Sequence, residues 1–224
     1  MMKQFTYVFL LLFTLSYPLY KSFEDKVAFH KRWKALFPAI FISAVVFISW
    51  DIWFTHLGIW KFNNEFVLGF YLLNLPIEEW LFFFIIPYSC VFIYEVLNYF
   101  IKKDILSKAS RSITIILCLL LLVIAAFNYE KAYTAVSFIS LAVFLIFHQF
   151  VLKSPYLGRY YIAWTVCFLP FFIVNGVLTA MPVLIYNNLE NLNLRIYTIP
   201  VEDVFYGMLQ FLLVITVYEY LKKK

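Results

Sequence analysis

Two short acidic motifs recur in an otherwise apolar chain: Pro76-Ile77-Glu78-Glu79 and Pro200-Val201-Glu202-Asp203. Each opens a long hydrophobic run, so each places two carboxyls at or just inside a membrane boundary, where acids are functional candidates by default. Asp51, near the end of another apolar run, is the fifth acid expected at that level, with His56 about a turn beyond it. Paired carboxyls in different protonation states divide acid work from base work. Like charges and a low dielectric both penalise ionisation. The helix dipole opposes them with only about 0.3–1 kcal/mol. The adjoining connections offer just Lys61 and Arg195 as cations. At least one carboxyl is therefore expected to hold its proton near neutral pH beside an ionised partner. The candidate catalytic residues are Glu78, Glu79, Glu202, Asp203 and Asp51. The same motifs also fit ordinary helix starts, because proline favours the first position and acids the first turn. Their duplication is what favours chemistry.

The elements that position these acids follow from composition. The chain has 224 residues, 64% of them hydrophobic and 14% charged, and a mean hydropathy of +0.85. A soluble domain runs near half apolar and a quarter charged. These values exclude a soluble enzyme, a disordered chain, a coiled coil and a disulfide scaffold. The fold class is an all-α integral membrane protein with seven transmembrane helices, at about 4–20, 35–55, 76–101, 112–128, 132–151, 160–182 and 200–221. The first is expected to be retained rather than cleaved, since Ser16-Tyr17-Pro18-Leu19-Tyr20 lacks a small-x-small site. Asn128-Tyr129-Glu130-Lys131 is so short a connection that the helices on either side should be antiparallel neighbours. The connections before 76 and before 200 are half apolar and should lie in or dip into the interface.

Fourteen Lys and Arg residues, among them Arg32, Lys102, Arg159 and Lys224, fall on one side, and four (Lys3, Lys61, Lys131, Arg195) on the other. The positive-inside rule then puts the carboxyl terminus in the cytoplasm and the amino terminus outside, in a plasma or inner membrane. The basic balance is a topology signal and a lipid-facing collar, and no nucleic-acid partner is expected.

Slid on itself by 124 residues, the chain lays 51–97 on 175–221 without a gap. Pro76 meets Pro200, Glu78 meets Glu202, Glu79 meets Asp203, and Asn63-Asn64 meet Asn187-Asn188. Tyr94-Glu95 meet Tyr218-Glu219, and Asp51 meets Asn175. Apolar matches come easily in a membrane chain; matched Pro, Glu, Asn and Tyr-Glu at one offset do not. A shift of four helices keeps direction, so the repeat is parallel, three helices plus one plus three. The expected units are 1–111 (first repeat), 112–128 (linking helix) and 129–224 (second repeat).

The remaining polar residues read more plainly. Glu95 and Glu219 lie 17 residues past Glu78 and Glu202, roughly 25 Å along a helix, and should reach cytoplasmic lysines. His30 should be solvated and His148 should make a hydrogen bond. Cys90, Cys118 and Cys167 lack metal or disulfide spacing. Among 27 Phe, 17 Tyr and 6 Trp, those nearest the acids are Trp50, Trp53, Trp80, Phe82 and Tyr206, whose faces could stabilise a cation. The chain shows no Gly-x-Gly-x-x-Gly, phosphate loop, Asp-rich diphosphate–Mg²⁺ motif or His-x-x-x-His, so no cofactor and no metal are expected. The last span carries no lysine between Val201 and Leu221 for a retinal Schiff base.

On the paired Pro-x-Glu-Glu/Asp motifs, with Asp51 and the two Tyr-Glu pairs around them, the chain resembles the small integral-membrane lycopene cyclases of the heterodimer type, with both halves fused. The resemblance covers nearly the whole chain and maps the family's acidic motif onto Glu78, Glu79, Glu202 and Asp203. It departs from an even duplication at Asn175, which stands opposite Asp51. It implies a redox-neutral cyclisation of lycopene ends to β-ionone rings within the lipid bilayer, and an intramolecular lyase or isomerase. Other carotenoid-pathway membrane enzymes would be its neighbours. A proton-coupled transporter, a carotenoid-binding subunit and another carotenoid end-group enzyme remain as rivals. The transporter requires a polar path from Glu78/Glu202 to Glu95/Glu219, which Ser89, Gln210 and Thr216 alone provide.

Overall fold

A computed structural model describes residues 3–223; Lys224, counted in the basic tail, lies outside them. Seven α-helices follow in order: α1 Thr6–Lys21, α2 Trp33–His56, α3 Ile77–Phe100, α4 Ser110–Phe127, α5 Ala132–Ile146, α6 Leu157–Ala180 and α7 Val201–Lys222. Every expected span is met by a helix. By length and composition α2 to α7 can each cross a membrane, α5 together with the π-helical turn Phe147–Val151 that extends it. The 16 residues of α1 reach about 24 Å, less than the ~30 Å hydrocarbon thickness. A single 3-10 turn at Lys3–Phe5 precedes them.

Proline sets where the two acidic helices begin. Pro76 and Pro200 cap α3 and α7 in extended geometry (φ −65° and −55°), the value the pyrrolidine ring imposes. Ahead of each lies a two-residue hairpin, β2 Tyr71–Leu72 with β3 Leu75–Pro76, and β5 Arg195–Ile196 with β6 Ile199–Pro200. Leu73 and Tyr197 occupy the turns at φ 58° and 60°, a left-handed conformation that side chains adopt only at a cost of about 1–3 kcal/mol. The same strained position in both halves is a structural mark of the duplication.

A further strand pair joins the halves. β1 Trp60–Phe62 runs antiparallel to β4 Leu184–Tyr186, with Trp60 opposite Tyr186, Lys61 opposite Ile185 and Phe62 opposite Leu184. Flanking bonds are reciprocal: Asn63 N–H donates to Val183 O (2.9 Å) and Asn187 N–H to Ile59 O (2.8 Å). The interfacial connections are thus an ordered cap of backbone hydrogen bonds, which unpaired chain at that depth would lack.

The helices pack in matched pairs, α1 on α3 as α5 on α7, and α2 on α7 as α6 on α3. One pair breaks the match, because α6 lies less closely on α7 than α2 does on α3. The linking helix α4 packs along α5, as the short connection requires, and is the least buried of the spans. At the end remote from the cap the two Tyr-Glu pairs cross: Tyr94 donates to Glu219 (2.9 Å) and Tyr218 to Glu95 (3.0 Å). Glu95 is buried and also meets Arg32 and Lys222.

Candidate active site

In each acidic motif the two adjacent carboxyls turn to different tasks, since neighbours on a helix point about 100° apart. Glu78 and Glu202 face the connection just ahead of them. Glu78 Oε1 accepts the Leu68 backbone N–H at 2.6 Å, and Glu202 Oε1 accepts the Leu192 N–H at 2.7 Å and the Thr134 hydroxyl at 2.6 Å. Leu68 and Leu192 are themselves 124 residues apart, so this is one device used twice.

Glu79 and Asp203 face inward. Glu79 Oε2 accepts the Tyr7 phenol at 2.6 Å, and Asp203 Oδ1 accepts the Tyr133 phenol at 2.6 Å. Asp203 Oδ2 takes a second phenol, from Tyr186 at 2.7 Å. Burial, then the adjacent Asp203 carboxyl, pushes the Tyr186 phenol far above its ordinary pKa, so it remains a proton-bearing donor. Asp51, from α2, accepts the Tyr206 phenol at 3.0 Å and stands beside the Glu79 carboxyl. Asp51, Glu79 and Asp203 are almost wholly buried.

These three acids line one end of a cleft with about 1040 Å³ of space between its walls, open solvent at its mouth included. Glu79 and Ile93 both line it from α3, so it runs roughly 21 Å along that helix. Beneath the acids its walls are Phe82, Ile86, Pro87, Trp164, Phe171, Val174 and Phe211, with Ser89, Asn175 and Gln210 as scattered polar groups. Trp60 and Tyr186 close it under the β1–β4 cap. Among the described residues, no lysine or arginine lines it. Half-buried Thr14, Ile86, Pro170 and Phe171 rim its side toward the bilayer, between α1, α3 and α6.

Of the five candidate acids, Asp51, Glu79 and Asp203 reach the cavity, while Glu78 and Glu202 do not line it. Among the aromatic candidates, Phe82 and Tyr206 line it. Trp50 packs behind Tyr206, Trp53 is half exposed, and Trp80 donates to the Leu72 carbonyl. His56 is exposed. His30 is half-buried and contacts the Ser22 carbonyl rather than standing solvated, and His148 hydrogen-bonds Ser154 and Thr216. Sequence reasoning missed Tyr7 and Tyr133. They match at an offset of 126, two more than the rest of the repeat, so an ungapped comparison passed them by.

A lycopene cyclase family model matches residues 4–97 and 130–221. No curated protein and no solved structure matches the chain. The two matched segments take in both acidic motifs, both tyrosines that bind them and most of the chain. The chain belongs to the lycopene cyclase family.

Proposed function

We propose that the protein is a lycopene cyclase that closes polyene ends to β-ionone rings by acid/base catalysis inside the membrane. The single observation that carries this reading is the cluster of three buried carboxyls, all hydrogen-bonded, at one end of a long apolar and aromatic cavity. Family membership supports a carotenoid as the substrate. A polyene dissolved in the bilayer would enter by the side between α1, α3 and α6 and lie along the cavity, its end beneath the acids.

A proton carried by the Asp51 and Glu79 pair is the one donated. It adds to the terminal double bond and leaves a tertiary cation. The neighbouring double bond attacks that carbon, the ring bond forms, and the charge moves onto the ring. Loss of a ring proton then makes the ring double bond. One proton enters and one leaves, so no electrons are exchanged and no water is consumed. Asp203, both of whose oxygens accept phenol protons, is the base and counter-ion. The phenols fix the carboxyls before the charge develops, which is where such preorganisation does most. The rings of Trp60, Phe82 and Tyr206 offer their faces to the cation. With the basic end in the cytoplasm, the acids lie in the outer half of the membrane.

Pigment analysis by HPLC of lycopene-making bacteria tests this. The native chain should yield cyclic carotenes, and a Glu79→Gln/Asp203→Asn version should leave lycopene intact. Lycopene unchanged by native protein present in the membrane would overturn the reading. Conversion surviving the double substitution would overturn the carboxylate roles.

A further inference from the structure

Lys61 and Ile185, one repeat length apart, face each other in the cap, so the pseudo-twofold axis of the duplication passes between them. By that symmetry each half should supply its own passage to the acids. Only one is open. In the open passage Phe82, Phe171, Val174 and Gly207 lie along the route below Glu79 and Asp203. Their counterparts 124 residues away are Tyr206, Phe47, Trp50 and Phe83. Those four rings close on one another. Phe47 and Tyr206 are 5.1 Å apart between centroids, Trp50 and Tyr206 5.4 Å, Phe47 and Trp50 5.8 Å, and Phe47 and Phe83 6.3 Å.

The two small residues are what differ. A β-carbon on Gly207 would stand 3.0 Å from the Trp164 ring and 3.4 Å from the Phe171 ring, so a ring there would displace both. On the closed side a groove survives between α2, α5 and α7, lined by Val46, Phe47, Trp50, Ser140 and Leu213. These are the counterparts of Pro170, Phe171, Val174, Thr14 and Ser89 in the open cavity, Ser140 and Thr14 each following its tyrosine by seven residues. No acid lines that groove. The looser seating of α6 on α7 than of α2 on α3 is the same asymmetry at the level of helices.

We propose that the chain cyclises one polyene end at a time, through a single passage kept open by Gly207 and Val174, and releases the monocyclic carotene before any second ring is made. The proposal rests on the cyclase reading. The second end would have to enter by the same route, and each round takes one proton from the cluster and returns one.

The test uses membranes holding the native chain, ¹³C-labelled lycopene and an excess of unlabelled monocyclic γ-carotene. Labelled monocyclic product should accumulate, and bicyclic product should come mostly from the unlabelled pool. A chain that stops at the monocyclic stage also supports the proposal. Labelled bicyclic product formed without dilution overturns it alone, whereas a native chain that forms no ring overturns the cyclase reading together with it. As a second arm, Gly207→Ala and Gly207→Phe should lower conversion in that order. The loss is read per folded protein, against membrane level and melting temperature, because overpacking a tight contact itself costs about 1–3 kcal/mol of stability. Full conversion by a folded Gly207→Phe chain would overturn the role of Gly207, and the isotope experiment stands if that chain fails to fold.

Discussion

Asp51 on α2 and Glu79 on α3 meet carboxyl to carboxyl, with the Tyr206 phenol on the far acid and the Tyr7 phenol on the near one. Asp51 has no acidic counterpart in the second repeat, where Asn175 stands and turns its amide to the Phe171 carbonyl. The duplication therefore yields a pair plus a single acid rather than two pairs. Asp51→Asn should leave Glu79 its neighbour but remove one of the two acids of the pair. Rate measured on solubilised lycopene should fall by about 10²–10⁴, the usual contribution of a positioned acid or base. A loss below about threefold would reduce Asp51 to a packing role.

Glu78 and Glu202 should behave differently from their neighbours. Each accepts a backbone N–H from the connection ahead of its helix, a task that an amide oxygen can also perform. Glu78→Gln and Glu202→Gln should keep most of the conversion, while Glu79→Gln and Asp203→Asn should not. Glu202→Ala removes the acceptor altogether and leaves two buried donors unpaired, at about 1–3 kcal/mol each. The check is paired pigment yield and thermal melting in detergent. Loss of conversion in the Gln forms at native stability would return Glu78 and Glu202 to the chemistry.

Tyr7→Phe and Tyr133→Phe each remove one phenol from a buried carboxyl without changing ring shape. A hydrogen bond to a charged group is worth about 1.5–3 kcal/mol, or roughly 10–150-fold if it is made fully in the transition state. Tyr133→Phe should be the milder change, because Tyr186 still donates to Asp203, whereas the Glu79 oxygen bound by Tyr7 has no second phenol. Initial rates of the two variants decide it; equal losses would mean that the second phenol on Asp203 carries no weight.

The sequence alone shows the helices and the parallel duplication, because apolar length and a constant offset of Pro, Glu and Asn are read along the chain. It also brings the right helix ends together. It does not tell Glu78 from Glu79, since both are one residue apart at a helix start and only the packing around α3 decides which faces the cavity. Nor does it show that Trp60 to Phe62 pairs with Leu184 to Tyr186 across the axis. Both segments are too short and irregular to carry a strand pattern. Tyr7 was hidden for a simpler reason: a two-residue difference in length between the halves moves it out of register with Tyr133.

At the opposite end, Glu95 is 1% exposed and meets Arg32, Lys222 and the Tyr218 phenol, while among the described residues Glu219 meets Lys222 (3.6 Å) and the Tyr94 phenol. These contacts tie α3, α7 and the turn ahead of α2 together at the end opposite the acid cluster, so they should bear on stability rather than on turnover. Glu95→Gln leaves Arg32 without this counter-charge and Lys222 with Glu219 alone, and should lower stability by about 1.5–3 kcal/mol. Glu219→Gln, more exposed and with one longer ion pair, should lose under about 1 kcal/mol. Both should retain native product composition at temperatures where they are folded. Melting curves with pigment analysis at a low growth temperature separate the two effects. A folded Glu95→Gln chain that no longer makes rings would give this end a part in the reaction, and with it the polar path that a proton-coupled transporter requires.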